Sequence, residues 1–293
     1  MPKLKLKKTD KISELPLESL QLCNAENLYI HIPFCISKCH YCNFISFANK
    51  NEFIEPYFAA LKKEIEFYFK ETSNQKPETI YIGGGTPSVV DFCFYKDLFN
   101  LLSSLISTSY SSEITMEINP GTVDLNYLKK LRDLGINRLS IGVQSFDDQI
   151  LKQINRIHSS EEAINTVKMA QKAGFENISI DLIYGLPEQT TESWEKTLNQ
   201  SLNLEITHIS TYGLKIEEAT EFSRNMPKNL PDDEMQSQIY LKTIEILENK
   251  GFKHYEISNF SKKGFESKHN ICYWKNKEYY GLGLSAHGYL KGI

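Results

Sequence analysis

No stretch of the chain approaches the roughly 20 consecutive apolar residues that a membrane-spanning helix requires, so nothing in the sequence reads as such a span. Basic charge is not in excess either: 33 Lys and Arg stand against 37 Asp and Glu, a net charge of −4. A domain that grips nucleic acid by its phosphates ordinarily shows a marked basic surplus, so that class is set aside. Lys3, Lys5, Lys7 and Lys8 open the chain without an apolar core behind them, which argues against a secretory signal peptide. They belong to a charged N-terminal extension, residues 1–28, whose one alternative use is peripheral contact with acidic lipid. Six cysteines in 293 residues are too sparse for a disulfide framework. Three of them fall close together, which fits a metal site in a reducing compartment, and the chain is read as cytoplasmic.

What is present is concentrated in Tyr29-Ile-His-Ile-Pro-Phe-Cys35-Ile-Ser-Lys-Cys39-His-Tyr-Cys42-Asn-Phe44, a C-x3-C-x2-C array after a short apolar run. Three thiolates can hold three irons of a [4Fe–4S] cubane and leave the fourth free to bind a substrate or cofactor. Clusters that only carry electrons usually have four cysteine ligands. Two plainer readings stand beside this one. Zinc would take four ligands, with His31 or His40 completing the set, and three reduced cysteines can simply pack as small hydrophobes.

The rest of the chain alternates. Short β-branched or aromatic runs at 28–34, 79–82, 113–118, 138–143, 177–184 and 208–214 read as strands. Between them, apolar residues recur at helical spacing over 53–69, 92–106, 125–134, 160–173 and 190–204. Gly135 and Gly174 stop two of these helices, and Thr190 or Thr191 starts the last. Alternating strands and helices predict parallel βα units, here an incomplete (βα)6 barrel over 29–230 whose ligands collect at the C-terminal rim of the strands. Past Pro231 the texture changes to a long amphipathic helix, 232–250, and then mixed aromatic and polar stretches. Residues 231–293 are read as the start of a C-terminal α+β extension.

Several rim positions carry chemistry. Gly83-Gly84-Gly85 follows a strand, either to let backbone approach a ligand or to make a tight turn; a phosphate loop is excluded because G-x4-G-K-S/T is absent. Glu117 could accept hydrogen bonds from a ribose or an ammonium, or be a solvated strand-end charge. Gln144 can both donate and accept. Arg156 and Asp181 could read a carboxylate and a ribose, or pair with each other. His31, His40, His158, His208 and His254 read as packed or surface histidines. His269, in His-Asn-Ile-Cys-Tyr-Trp274, belongs to an aromatic patch, and nothing near Cys272 would depress its thiol pKa.

C-x3-C-x2-C with Tyr41 before the last cysteine is the signature of radical S-adenosylmethionine (SAM) enzymes. The longer Tyr-Ile-His-Ile-Pro-Phe-Cys resembles one family among them, the oxygen-independent coproporphyrinogen III oxidases and related heme chaperones (HemN/HemW). The likeness runs from about Tyr29 to Tyr289. It implies the partial barrel, a [4Fe–4S] cluster on Cys35, Cys39 and Cys42, and SAM chelating the open iron. It also implies SAM contacts at Tyr29, Tyr41, Gly85, Thr86, Pro87, Glu117, Gln144, Arg156 and Asp181. His-Asn-x-x-Tyr-Trp resembles the heme-binding motif of the chaperone branch, with His269 as axial ligand and Tyr273 and Trp274 flanking the porphyrin. In the oxidase branch the cluster motif continues as Cys-x-Cys, and this chain has Phe44 there. The resemblance therefore implies a chaperone that binds heme and passes it to acceptor proteins, with no catalytic residue assigned. The alternative is radical oxidative decarboxylation of coproporphyrinogen III. The family usually carries a further C-terminal domain, so the chain reads as part of a longer protein; a homodimer and the acceptor's identity are left open by the sequence.

Overall fold

A computed structural model describes residues 25–70, 76–107 and 112–291; most of the charged N-terminal extension lies outside them. Six parallel strands carry the fold: β1 (Asn27–Ile32), β2 (Thr79–Gly84), β3 (Glu113–Ile118), β4 (Arg138–Gln144), β5 (Asn177–Tyr184) and β6 (His208–Gly213). They lie side by side in chain order. The connecting helices are α1 (Ile54–Phe69), α2 (Phe92–Leu105), α3 (Leu125–Asp133), then α4 (Asp148–Gln153) and α5 (Ser160–Lys172) together, and α6 (Thr191–Leu202). This is the βα alternation that the sequence predicts.

Helix starts follow from local chemistry. Asp91, Asp124 and Asp147 each accept a hydrogen bond from a first-turn amide. Ser159 forms a reciprocal capping box with Glu162, and Thr190, not Thr191, does so with Ser193.

The strands have two unlike faces. Leu28, Ile30, Ile80, Ile82, Ile114, Met116, Leu139, Ile141, Ile178, Ile180 and Ile209 point to the helical layer and are buried there. The alternate positions, Tyr29, Tyr81, Glu117, Ser140, Asp181 and Ser210, point the other way. Side chains from β2 to β6 on that polar face line a single cavity, so the sheet curves around it as a partial barrel.

After β6 come α7 (Glu221–Arg224), α8 (Asp233–Asn249), β7 (Lys253–His254), β8 (Asn259–Ser261), α9 (Lys268–Trp274) and β9 (Tyr280–Leu282). β8 pairs antiparallel with β6 and carries β7, while β9 returns to the opposite edge and pairs parallel with β1. Residues 231–293 therefore extend both edges of the same nine-stranded sheet. No pairing among the described residues joins those two edges. Strands of two or three residues and a seven-residue helix leave no periodicity to detect.

Candidate metal and cofactor site

The chain leaves β1 at Pro33 and enters the cysteine loop, which is fixed at several points. Gly85 N donates to Ile32 O at 2.9 Å and Thr86 N to Phe34 O at 2.7 Å, tying the loop's root to the end of β2. Further along, Asn155 Nδ2 holds Ser37 Oγ and Lys38 O. His31 reaches forward from β1, its Nε2 on Ile45 O at 2.8 Å and its Nδ1 on the Tyr29 hydroxyl at 2.9 Å. His31 thus acts as a brace for the loop's return, a role that its reading as a packed histidine does not contain.

Cys35, Cys39 and Cys42 all line a cavity of about 360 Å³ at the C-terminal end of the strands. Its wall also includes Tyr41, Gly85, Thr86, Pro87, Glu117, Gln144, Arg156 and Asp181, which with the three cysteines are eleven of the twelve non-histidine positions implied by the resemblance.

 The twelfth implied position, Tyr29, is off it, one layer deeper in the barrel with its hydroxyl on His31.

The wall is built tightly. A Cβ at Gly83 would meet the Glu117 carboxyl at 2.8 Å, and one at Gly85 would meet Phe34 O at 2.8 Å and Cys35 Sγ at 3.0 Å. Gly84 adopts φ +120°, and a Cβ there would strike the His31 ring at 2.5 Å. The glycines therefore make room for the chain's own Glu117, His31 and Cys35. Glu117 accepts from the Tyr81 hydroxyl at 2.8 Å and from Gly84 N at 2.9 Å. Burial nonetheless pushes its carboxyl up to about 7. Asp181, also raised by burial, accepts from Ser140 Oγ. Gln144 takes φ 66°, the left-handed region, where the β4–β5 register shifts. That bulge turns its side chain onto the cavity.

Arg156 crosses from the loop before α5. Its guanidinium donates to Asn119 Oδ1 at 2.8 Å and to the Gly142 carbonyl, and Nη1 lies 3.6 Å from Cys39 Sγ. Asn119 Nδ2 passes the connection on to Thr86 Oγ1 at 2.8 Å, and Thr86 Oγ1 lies 3.5 Å from Cys35 Sγ. Asn119, Ser140 and Tyr81 are site residues that the motifs did not single out; period-2 alternation places Tyr81, Glu117, Ser140 and Asp181 on one face and was the available signal.

His269 is elsewhere. It lies under the N-terminal ends of the strands, 1% exposed, stacked on Tyr81 and Tyr29. Nδ1 meets Thr79 Oγ1 at 2.7 Å and Nε2 meets the Tyr273 hydroxyl at 2.8 Å. Thr79 spends its own hydrogen on Asn27 Oδ1, so His269 Nδ1 donates to Thr79 and Nε2 accepts from Tyr273. Burial lowers the imidazole to about 3, which keeps it neutral. Glu113 accepts from the backbone amides of Lys268 and His269 and anchors the start of α9. Cys272 is buried, and burial pushes its thiol up to about 11 against the opposing pull of Lys277, a neighbour that the sequence expectation leaves out.

The cavity fits an iron–sulfur cube with an adduct. Three free thiols open onto it, burial raises Cys35 and Cys42, and a bound metal is what would hold them as thiolates. Arg156 Nε is buried with no partner, and the same wall carries Glu117 and Asp181, whose carboxyls are raised by burial.

The model of the Radical SAM superfamily matches residues 29–200. The heme chaperone HemW of Bacillus subtilis is 40% identical over 271 residues, covering 91% of this chain and 72% of that protein. HemW of Escherichia coli is 38% identical over 263 residues, covering 89% and 69%. Among solved structures, coproporphyrinogen III oxidase (HemN) of Escherichia coli, described as a radical SAM enzyme, superposes with a TM-score of 0.82 at 26% identity, over 93% of this chain and 67% of that one. Fold and cysteine cavity together define a radical SAM protein. Within that superfamily the chain belongs to the HemW family.

Proposed function

We propose that the chain is a cytoplasmic heme chaperone, binding heme and delivering it to acceptor proteins while carrying a SAM-bound [4Fe–4S] cluster. The observation that carries the cofactor half is the single cavity shared by three thiols, Arg156, Glu117 and Asp181. Cys35, Cys39 and Cys42 would hold the cluster. Arg156 is placed for a carboxylate and Glu117 and Asp181 for an ammonium or ribose hydroxyls, with Gly85, Thr86, Pro87, Gln144 and Tyr41 shaping the wall. When bound, such a cluster supplies an electron to SAM. The chain's part is to orient the adduct and keep water from it.

The heme half is supported by the HemW relatives and by His269. Its Nε2 lone pair, the one an iron would take, is now held by the Tyr273 hydroxyl beside exposed Trp274. Iron ligation therefore requires Tyr273 to release it and α9 to lift from the strand ends. The likeness to HemN favours a coproporphyrinogen oxidase as the second reading, and Phe44, two residues past Cys42, stands against it. No helix among the described residues is long and apolar enough to cross a membrane.

Heme titration of the anaerobically reconstituted chain and of His269→Ala tests the assignment. Affinity and Soret spectrum should both change in the variant; if neither does, His269 is not the ligand. Incubation with coproporphyrinogen III, SAM and reductant should leave the porphyrinogen unchanged, and decarboxylation would install the second reading.

A further inference from the structure

A column of aromatic rings leads from the wall of the cysteine cavity to the surface at α9. Tyr81 lines the cavity. Its ring stacks on His269 with centroids 5.1 Å apart and planes at 26°. His269 meets Tyr273 edge-on at 4.9 Å, and Tyr273, 39% exposed, meets Tyr279 at 4.8 Å. Tyr29 flanks the column, stacked on Tyr81 at 6.1 Å.

Stacked rings alone would be ordinary packing. These differ in what their hydroxyls touch. Tyr81 donates to Glu117 at 2.8 Å and Tyr273 to His269 Nε2 at 2.8 Å, and the Tyr29 hydroxyl lies on His31 Nδ1 at 2.9 Å. Each partner is a group that can take or return a proton. By contrast Tyr57, Tyr95 and Tyr127, in the helical layer, donate to the backbone carbonyls of His31, Pro87 and Val90, which cannot take a proton. A phenol gives up an electron readily only when its proton leaves with it, because the phenol radical cation is a far stronger acid than any imidazolium or carboxyl. A base in hydrogen-bond contact is therefore the requirement; Tyr255 on His208 Nε2 meets it too, and among the described residues only the column adds a stacked path between cavity and surface.

We infer that Tyr81, His269 and Tyr273 form a proton-coupled relay that drains a one-electron oxidising equivalent from the cavity to the α9 surface of the heme-free chain. The inference rests on the proposed function only for the source of that equivalent, the carbon-centred radical that would be released if the electron given to SAM breaks a C–S bond of its sulfonium, methionine being the other fragment. The radical takes the hydrogen atom of the Tyr81 hydroxyl; a C–H bond forms, the O–H bond breaks, and Tyr81 is left a neutral phenoxyl. Tyr273 then gives that phenoxyl one electron. Its own phenolic proton passes to His269 Nε2, and Tyr81 recovers a proton from the Glu117 carboxyl. A small thiolate in solution returns an electron to Tyr273, the proton comes back from His269, and two thiyl radicals pair as a disulfide. Glu117 is reprotonated from water. A radical that misses its target is thus removed before it attacks the wall.

The test injects the hole from outside and asks whether it reaches Tyr81. The full chain, unreconstituted and with Tyr81 replaced by 3,5-difluorotyrosine, is oxidised by flash-generated ruthenium(III) tris-bipyridine, an oxidant too bulky for the cavity. Freeze-quenched electron paramagnetic resonance should show a fluorine-split phenoxyl. Its yield should fall by about an order of magnitude in Tyr273→Phe and stay unchanged in Tyr127→Phe. Absence of the fluorine splitting with Tyr273 present, or equal yields with and without Tyr273, overturns the relay. Neither arm uses SAM, so a failure of SAM chemistry counts against the proposed function and leaves this result readable.

Discussion

At the C-terminal ends of the strands, Glu117 and Asp181 face a cavity that also holds Arg156 and three thiols. At the N-terminal ends, Glu113 and His269 are sealed beneath α9. Both ends bury charged or titratable groups, and both pay for the burial differently. The closed end satisfies Glu113 and His269 within the chain: both Glu113 oxygens take helix amides, and both His269 nitrogens are bonded. The open end leaves Arg156 Nε without a partner and raises Glu117 to about 7, and these groups face a cavity, whereas Arg138 Nε, also unpaired, is buried at the start of its strand. The difference teaches where ligand binding releases energy: where unpaired polar groups open onto space that a ligand can enter.

The largest expected effect separates the two ends outright. Cys42→Ser should abolish cluster retention, read as iron per chain after anaerobic reconstitution, while urea stability of the cofactor-free chain stays within about 0.5 kcal/mol. A cluster that survives the substitution would remove Cys42 from the ligand set. Next comes pH. His269 falls from 6.5 to about 3 on folding and His158 to about 4, with His208 lowered as well, all chiefly by burial. Their stabilisation is present above pH 6.5 and is lost as pH falls toward the folded values, at about 1.4 kcal/mol per pH unit for each histidine. Glu117 runs the other way. Raised from 4.5 to about 7, it favours the fold most below pH 4.5, and that contribution is lost as pH rises from 4.5 through 7. The two effects oppose each other in one window, so Glu117→Gln should steepen the loss of stability of the cofactor-free chain between pH 7 and 5, by up to about 3 kcal/mol over the full window, and leave the slope above about pH 7.5 alone. Urea melts from pH 5 to 8 check this, and an unchanged slope between pH 5 and 7 would refute the role given to Glu117.

A smaller effect probes the seal. Glu113→Ala leaves the first two amides of α9 without their acceptor in a buried position and should cost about 2 kcal/mol. Amide exchange at Lys268 and His269 should quicken, with iron loading unchanged. Lost iron loading would show that the two ends are coupled through the sheet.

Much of the open end was legible because it is written locally. Alternation of strands and helices gave the rim, C-x3-C-x2-C gave the thiols, and the family resemblance named wall residues that the cavity brings together. The closed end was not legible. His269 meets Thr79 from 190 residues away, β9 pairs with β1 across some 250 positions, and α9 has only seven residues. No local periodicity encodes such contacts. His31 escaped for the same reason on a smaller scale, since its role as a brace depends on the Ile45 carbonyl and the Tyr29 hydroxyl, neither of which its own neighbours announce. The glycines were read either as close approach to a ligand or as a tight turn; Gly84 and Gly85 lie on the cavity wall, and the Cβ space at Gly83, Gly84 and Gly85 is taken by Glu117, His31 and Cys35.

The smallest effect tests whether the seal opposes heme. Tyr273→Phe keeps the ring against His269 and removes only the hydroxyl that occupies Nε2. If iron must displace that hydroxyl, deleting it removes a competing bond worth about 1 kcal/mol, and heme affinity should rise about fivefold. SAM binding at the other end should not change. A weakened affinity would instead mean that the Tyr273 hydroxyl helps hold heme, and that α9 receives its ligand without first giving up a bond.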